Sequence, residues 1–229
     1  PAVGVPENSM AAFRRALEHG FGAELDVHLM ADGELAVIHD SSLKRVCGAD
    51  VYIEDLTAAD LERYPLIGSG ETIPLFREVL ELFEGKTPLV IELKVERGNA
   101  NALTDAVMAA LEGWRGVCCV ESFHPAALLR LKERYPQVLR GQLSQNFLKP
   151  GEANGLSLPV RFMLTNLLTT AATRPDFIAY SCKDRDNASL RLMRALYGVH
   201  EVGWTVRDRE TMEALDREGA ASIFEGFVP

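Results

Sequence analysis

The feature that most constrains this chain is a repeat in which short apolar runs alternate with stretches of helical spacing. The runs are AELDVHL (23–29), LVIELK (89–94), VCCVESF (117–123), VLRGQL (138–143), DFIAYS (176–181), EVGWTV (201–206) and SIFEGF (222–227). Between them, residues 9–18, 75–83, 101–111, 125–134, 189–197 and 208–218 repeat apolar side chains every 3.6 residues or so, and Asn8 or Ser9 stands where the first would be capped. Strands that alternate with helices indicate βαβ units and a parallel sheet buried on both faces. Seven such runs are present, and the opening PAVGVPENS has no Met and reads as a loop, so an eighth strand is expected ahead of it. The expected fold is therefore α/β, a (β/α)8 TIM barrel whose first strand is missing from the sequence. An open doubly wound sheet ranks second, since no GxGxxG or P-loop pattern supports it. A chain of 229 residues suits one barrel domain spanning 1–229.

One stretch breaks the repeat. LAVIHD follows the first run after an Asp32–Gly33 hairpin-type turn, and residues 41–74 then read as an insertion after the second barrel strand. Thr57 is placed to cap a helical turn within it. In a β/α barrel the C-terminal mouth of the strands is the active-site face, so the insertion is expected there. Val46, Val51, Tyr52, Ile53, Leu66 and Ile67 suggest an apolar entry surface on it.

Charge and composition exclude several functions. The formal charge of −9 argues against a nucleic-acid surface. It leaves room for a small phosphate ester, because a metal ion reverses the sign within one cleft. No apolar run reaches the roughly 18 residues that would span a bilayer, so stable membrane insertion is not expected. Cys47, Cys118, Cys119 and Cys182 show no CxxC spacing and read as buried free thiols, which points to a reducing, cytoplasmic compartment.

Glu24, Asp26 and His28 alternate along the first strand and share a face, and Glu92 and Lys94 do the same on the next barrel strand. Charged groups on such a face are costly unless paired or bound to metal. Three carboxylates, Glu24, Asp26 and Glu92, suit one hard divalent cation, Mg²⁺ or Ca²⁺. A salt bridge of Glu92 with Lys94 or Arg140 is the plainer alternative. His39 ends a strand beside this cluster and is a candidate general acid or base. His28 shares the face of Asp26, but a structural role is expected for it. Glu121 and Gln142 stand at strand positions that reach the mouth and are candidate substrate-binding residues, with packing the default reading for Gln142.

The stretch PENSMAAFRRALEHGFGAELDVHLMADGELAVIHDSSLKRVCG resembles the signature of the glycerophosphodiester phosphodiesterase family. The later VIELK, ESFHP and GWTV fall in the same order as that family's third acidic ligand, its Ser-Phe turn and its Trp-Thr strand. The resemblance implies a β/α barrel, a divalent metal and hydrolysis of small glycerophosphodiesters to glycerol 3-phosphate and an alcohol. It implies that Glu24, Asp26 and Glu92 are metal ligands, that His39 is one of two catalytic histidines and that Lys94 lies near the phosphate. Trp204 would line the glycerol side of the pocket, Glu7 would order the mouth and Asn8 would cap the first helix. The family's His-Arg-Gly element, with the second histidine, is absent, and SIFEGFVP replaces its usual ending. A lysophospholipase D-like or lyase activity on lysophospholipids, and a non-catalytic barrel, are the alternatives.

Overall fold

The structure is a computed structural model that describes residues 5–151 and 155–229. The chain divides into two compact units, Pro1–Val138 and Leu139–Pro229, each described by itself. In the first, strands β1 (Ala23–Leu29), β2 (Leu35–Val37), β3 (Leu89–Leu93) and β4 (Cys118–Ser122) lie in the order β2-β1-β3-β4. β1, β3 and β4 run parallel, while β2 is the antiparallel hairpin partner of β1. The expected strand ahead of Pro1, with its His-Arg-Gly element, lies outside the described residues.

Alternate residues of these strands build the layer under the helices. Leu25, Val27, Ile91, Leu93 and Val120 are fully or almost fully buried against Phe13, Phe83, Leu103 and Leu128. Each such side chain contributes about 1.5–3 kcal/mol on burial. The other face of the same strands carries Glu24, Asp26, His28, Glu92 and Glu121, so a strong core on one side holds polar groups in place on the other.

Local signals set the helix ends. Ser9 is extended and its Oγ accepts from the Ala12 amide at 3.2 Å, which caps the helix Met10–Glu18. The cap is therefore Ser9, and the expected role of Asn8 is corrected: Asn8, at φ 51°, sends its side chain to Asp26 instead. His124 caps the helix Pro125–Arg134, its Nδ1 accepting from the Ala126 amide at 3.3 Å. In the β1–β2 hairpin the Met30 amide donates to the Glu34 carbonyl at 2.9 Å and the Gly33 amide to the Met30 carbonyl at 3.1 Å. Gly33 has φ 86°, a conformation that glycine adopts without steric cost.

The insertion has its own small core. Leu43, Ile53, Leu61, Leu66 and Ile73 pack with Ile38 of the hairpin. Thr57 donates through its amide and hydroxyl to Asp60 Oδ2 at 2.9 and 2.7 Å, closing the turn Ala58–Arg63. The expected apolar entry surface is largely used up in this packing. Ile53 and Leu66 are buried and Val46 and Val51 pack on them, leaving Tyr52 and Ile67 exposed.

The second unit pairs β5 (Arg140–Ser144), β6 (Phe177–Ser181), β7 (His200–Val206) and β8 (Ala221–Phe224) in sequence order, all parallel. Ala188–Tyr197 and Arg209–Arg217 are the expected helices. Leu158–Thr165 and Thr170–Thr173 are additional ones. The first of these buries only Thr165 and exposes Leu158 and Phe162, so its pattern carries no inward apolar stripe to read. Glu201 is buried between Arg185 and Arg194, with oxygen–nitrogen distances of 2.5 and 2.7 Å.

All four cysteines are free, but they are half-buried rather than buried as expected. Burial, with the Glu121 charge added, still pushes the Cys119 thiol up to about 12.

Candidate active site

The sheet register assembles the acids. Asp26 of β1, Glu92 of β3 and Glu121 of β4 are ladder partners in turn, so three carboxylates stand at one level across three strands. Glu24 lies one pleat earlier on the face of Asp26. One ligand oxygen from each of Glu24, Asp26 and Glu92 lies within 4.8 Å of the others. Such a set of carboxylate oxygens fits a hard divalent cation.

The charges in this cluster are unevenly compensated. Lys94 Nζ lies 2.9 Å from Asp26 Oδ1 and 2.8 Å from Glu92 Oε1, the salt bridge that the sequence left as the plainer alternative. Asn8 Nδ2 donates to the other oxygen of Asp26 at 2.7 Å. Burial acts to raise Asp26, but Lys94, His39 and Asn8 outweigh it and hold the carboxyl below its ordinary value. Glu92 is pushed up to about 8 by burial, against the pull of Lys94 and with the help of the Asp26 charge. Burial and the neighbouring carboxylates hold Glu24 and Glu121 well above the ordinary glutamate value. Glu121 is buried, and its Oε2 has no hydrogen-bond partner among the described residues. An orphaned acceptor among three other acids is a further sign that the site is shaped for a positive or donor group.

His39 stands just beyond β2, in the first unit with the acids. Its side chain is 55% exposed, so a substrate can reach it. Nδ1 lies 2.7 Å from Asp40 Oδ1, and Asp40 Oδ2 accepts from Arg45 Nε at 2.5 Å. Arg45 also pairs with Glu7. With Nδ1 committed, Nε2 is the nitrogen available to a reacting group. Burial raises Asp40, but the bonds from Arg45 and His39 prevail and lower it to about 2. Sequence reasoning missed Arg45, whose salt bridge to Glu7 spans 38 residues with no local signal. It also missed the Asn8–Asp26 bond, for which the non-helical φ of Asn8 is invisible in sequence.

Comparison with known proteins decides the lineage. The glycerophosphoryl diester phosphodiesterase family model matches residues 4–228. The chain belongs to this family. It is 34% identical to a glycerophosphodiester phosphodiesterase of Caldanaerobacter subterraneus subsp. tengcongensis, over 96% of this chain and 88% of the relative. A shorter match, 38% identical, covers 44% of the chain and 35% of a human lysophospholipase D. A solved Oleispira antarctica phosphodiesterase in complex with sn-glycerol-3-phosphate superposes with a TM-score of 0.80 at 21% identity, covering 97% of this chain and 88% of that one. A Thermotoga maritima glycerophosphodiester phosphodiesterase gives 0.72 at 26% identity, covering 97% and 89%.

The fold class is thus α/β of the (β/α)8 type, and the protein is a glycerophosphodiester phosphodiesterase. No helix among the described residues is long and apolar enough to cross a membrane.

The remaining expected site residues of this phosphodiesterase lie in the second unit. Gln142 on β5 is buried, donating from Nε2 to the Leu143 carbonyl at 2.9 Å and accepting from Thr169 Oγ1 at 3.2 Å. Trp204 on β7 is half-buried and stands in register with Ser181 of β6. Glu225, in the changed SIFEGFVP ending, is half-buried and pairs with Arg207 at 2.5 Å.

Proposed function

We propose that this protein is a metal-dependent phosphodiesterase that converts glycerophosphodiesters to glycerol 3-phosphate and an alcohol. The observation that carries the reading is the convergence of Glu24, Asp26 and Glu92 in the unit that also presents the exposed His39. These three carboxylates would hold one Mg²⁺ or Ca²⁺, which when bound offsets the negative charge on the phosphodiester.

The chain's own groups do the rest. His39, fixed through Nδ1 by Asp40, moves a proton at Nε2, a contribution of about 10²–10⁴-fold. Lys94 places a fixed positive charge beside Asp26 and Glu92 and stabilises the phosphoryl oxygens. The orphaned carboxyl of Glu121 binds the substrate's glycerol part, since a phosphodiester has no donor to offer it and a hydroxyl does. Trp204 and Gln142, each described within the second unit, keep the substrate-binding roles expected for them from the sequence. The family match over residues 4–228 supports reading 1–229 as a single barrel domain with residues 41–74 inserted at its active-site mouth. A cytoplasmic setting agrees with the four free thiols.

The test offers the purified protein glycerophosphocholine, glycerophosphoethanolamine and a lysophospholipid, each with Mg²⁺, Ca²⁺ or EDTA. Release of glycerol 3-phosphate that EDTA abolishes is the expected result. Turnover that persists in EDTA would remove the metal. Choline release from the lysophospholipid alone would transfer the activity to the lysophospholipase D class of the human relative.

A further inference from the structure

We infer that the buried His28–Glu54 pair is a positioning device for His39, a reading that rests on His39 being catalytic. The ring of His28 is about as buried as any in the chain, with a side-chain exposure of 1%. Its Nδ1 lies 2.7 Å from Glu54 Oε1, and its Nε2 lies 3.3 Å from the main-chain carbonyl of His39. Each ring nitrogen thus faces an oxygen, a carboxylate on one side and a carbonyl on the other, so the ring is held at both ends. The second oxygen of Glu54 accepts from Ser41 Oγ at 2.6 Å. His39 is therefore bracketed. His28 grips its carbonyl, and the loop two residues on is tied to the same carboxylate.

Physical considerations favour a geometric task over a stabilising one. A buried polar pair, charged or not, adds little net stability compared with apolar side chains of equal volume. Here it replaces core in a position where core was available: the ladder partner of His28 is Ala36, small enough to leave the ring its space. Main-chain bonds run to the same purpose. The Ile38 amide donates to the Asp26 carbonyl at 3.0 Å, and the Ile53 amide donates to the Ser41 carbonyl at 2.9 Å. Residues 38–41 are thus held between β1, which carries Glu24 and Asp26, and the turn Ile53–Asp55 of the insertion. Asp40 sets the direction of the His39 ring, and His28 sets where its backbone stands relative to the acids. The insertion, on this view, supplies Glu54 as a strut beneath the catalytic loop.

Four variants test the inference: Glu54→Ala, Glu54→Gln, Ser41→Ala and Glu54→Ala in a His39→Ala background. Glu54→Ala is expected to lower kcat by about 10- to 100-fold, the usual cost of displacing a reacting group by an ångström. KM and the cation-induced shift in Tm should stay within about twofold and one degree of wild type, by the same argument. Glu54→Gln, which keeps an acceptor for His28, should recover most of the loss. In the His39→Ala background the Glu54→Ala change should have no further effect on the residual rate. A packing role predicts instead that both backgrounds fall equally, and that result would overturn the inference. Should Glu54→Ala fail to fold, Ser41→Ala decides on its own, since an unchanged kcat there removes the strut. His39→Ala turning over at the wild-type rate would sink the underlying assignment of His39 as well, whereas an inactive His39→Ala beside a fully active Glu54→Ala sinks only the positioning role.

Discussion

Lys94 Nζ lies 2.9 Å from Asp26 Oδ1, so the most buried acid of the candidate metal site already has a positive partner from the neighbouring strand. The same ammonium reaches Glu92, while among the described residues Glu24 and Glu121 form no salt bridge of their own. The cluster therefore gathers more carboxyl groups than the cations of the described residues pair with, and burial favours their protonated forms until a further cation is supplied.

Removing Lys94 should expose that imbalance. Lys94→Met leaves Asp26 and Glu92 buried and unpaired, and is expected to lower metal-free stability by about 3 kcal/mol at neutral pH. Saturating Mg²⁺ or Ca²⁺ should restore part of it. Urea unfolding with and without the cation provides the check.

The raised acids make the metal-free protein sensitive to alkali. A glutamate that titrates near 8 when folded and near 4.5 when unfolded keeps an extra proton in the folded state between those values. Stability from this source is intact below about pH 4.5 and lost as pH rises towards 8. Asp26, lowered, is already ionised across that window and contributes a constant amount. His124, lowered by burial, works in the opposite direction below the ordinary histidine value but is the same with and without metal. The Tm difference between cation-loaded and EDTA-treated protein should thus widen steadily from pH 5 to pH 8.5. A difference independent of pH would contradict the assignment of these carboxylates to the cation.

The ligand acids should separate by stability though not by binding. Glu24→Gln removes an acid whose ionisation the site opposes and should raise metal-free stability at neutral pH by about 1 kcal/mol. Asp26→Asn discards the partner of Lys94 and Asn8 and should lower it by about 2 kcal/mol. Both should abolish the cation-induced Tm shift and reduce kcat by at least about 10³-fold.

Asp40→Asn tests the orientation of the His39 ring. An amide in that place no longer selects the Nδ1–H form, so kcat should fall by roughly 10²-fold or more with little change in KM. Arg45→Ala, one bond further out and half exposed, should cost about tenfold or less.

Much of this was legible because barrel strands declare themselves as buried runs. β1 and β3–β8 coincide with the seven apolar runs, and Glu24, Asp26 and Glu92 were visible as acids placed where water should not be. His39 was legible only beside them. What escaped notice depends on contacts between distant segments. Nothing near Asn8 in sequence reveals that it meets Asp26 and leaves the cap to Ser9. Glu54 reads as an ordinary acid of a polar turn until the fold lays that turn under His28. The helix Leu158–Thr165 went unread because its apolar residues face outward, the reverse of the pattern that announces a core helix.

The three residues between Met30 and Glu34 act as a ruler for the chemistry. They fix the pairing of Val27 with Val37, and through it the distance along the chain from Asp26 to His39. A strand slipped by one residue turns every side chain to the opposite face. Insertion or deletion of a single residue at Asp32–Gly33 should therefore be tolerated far less well in turnover than in folding. A length-variant library screened separately for both properties would show this turn as the least forgiving surface position in the first unit.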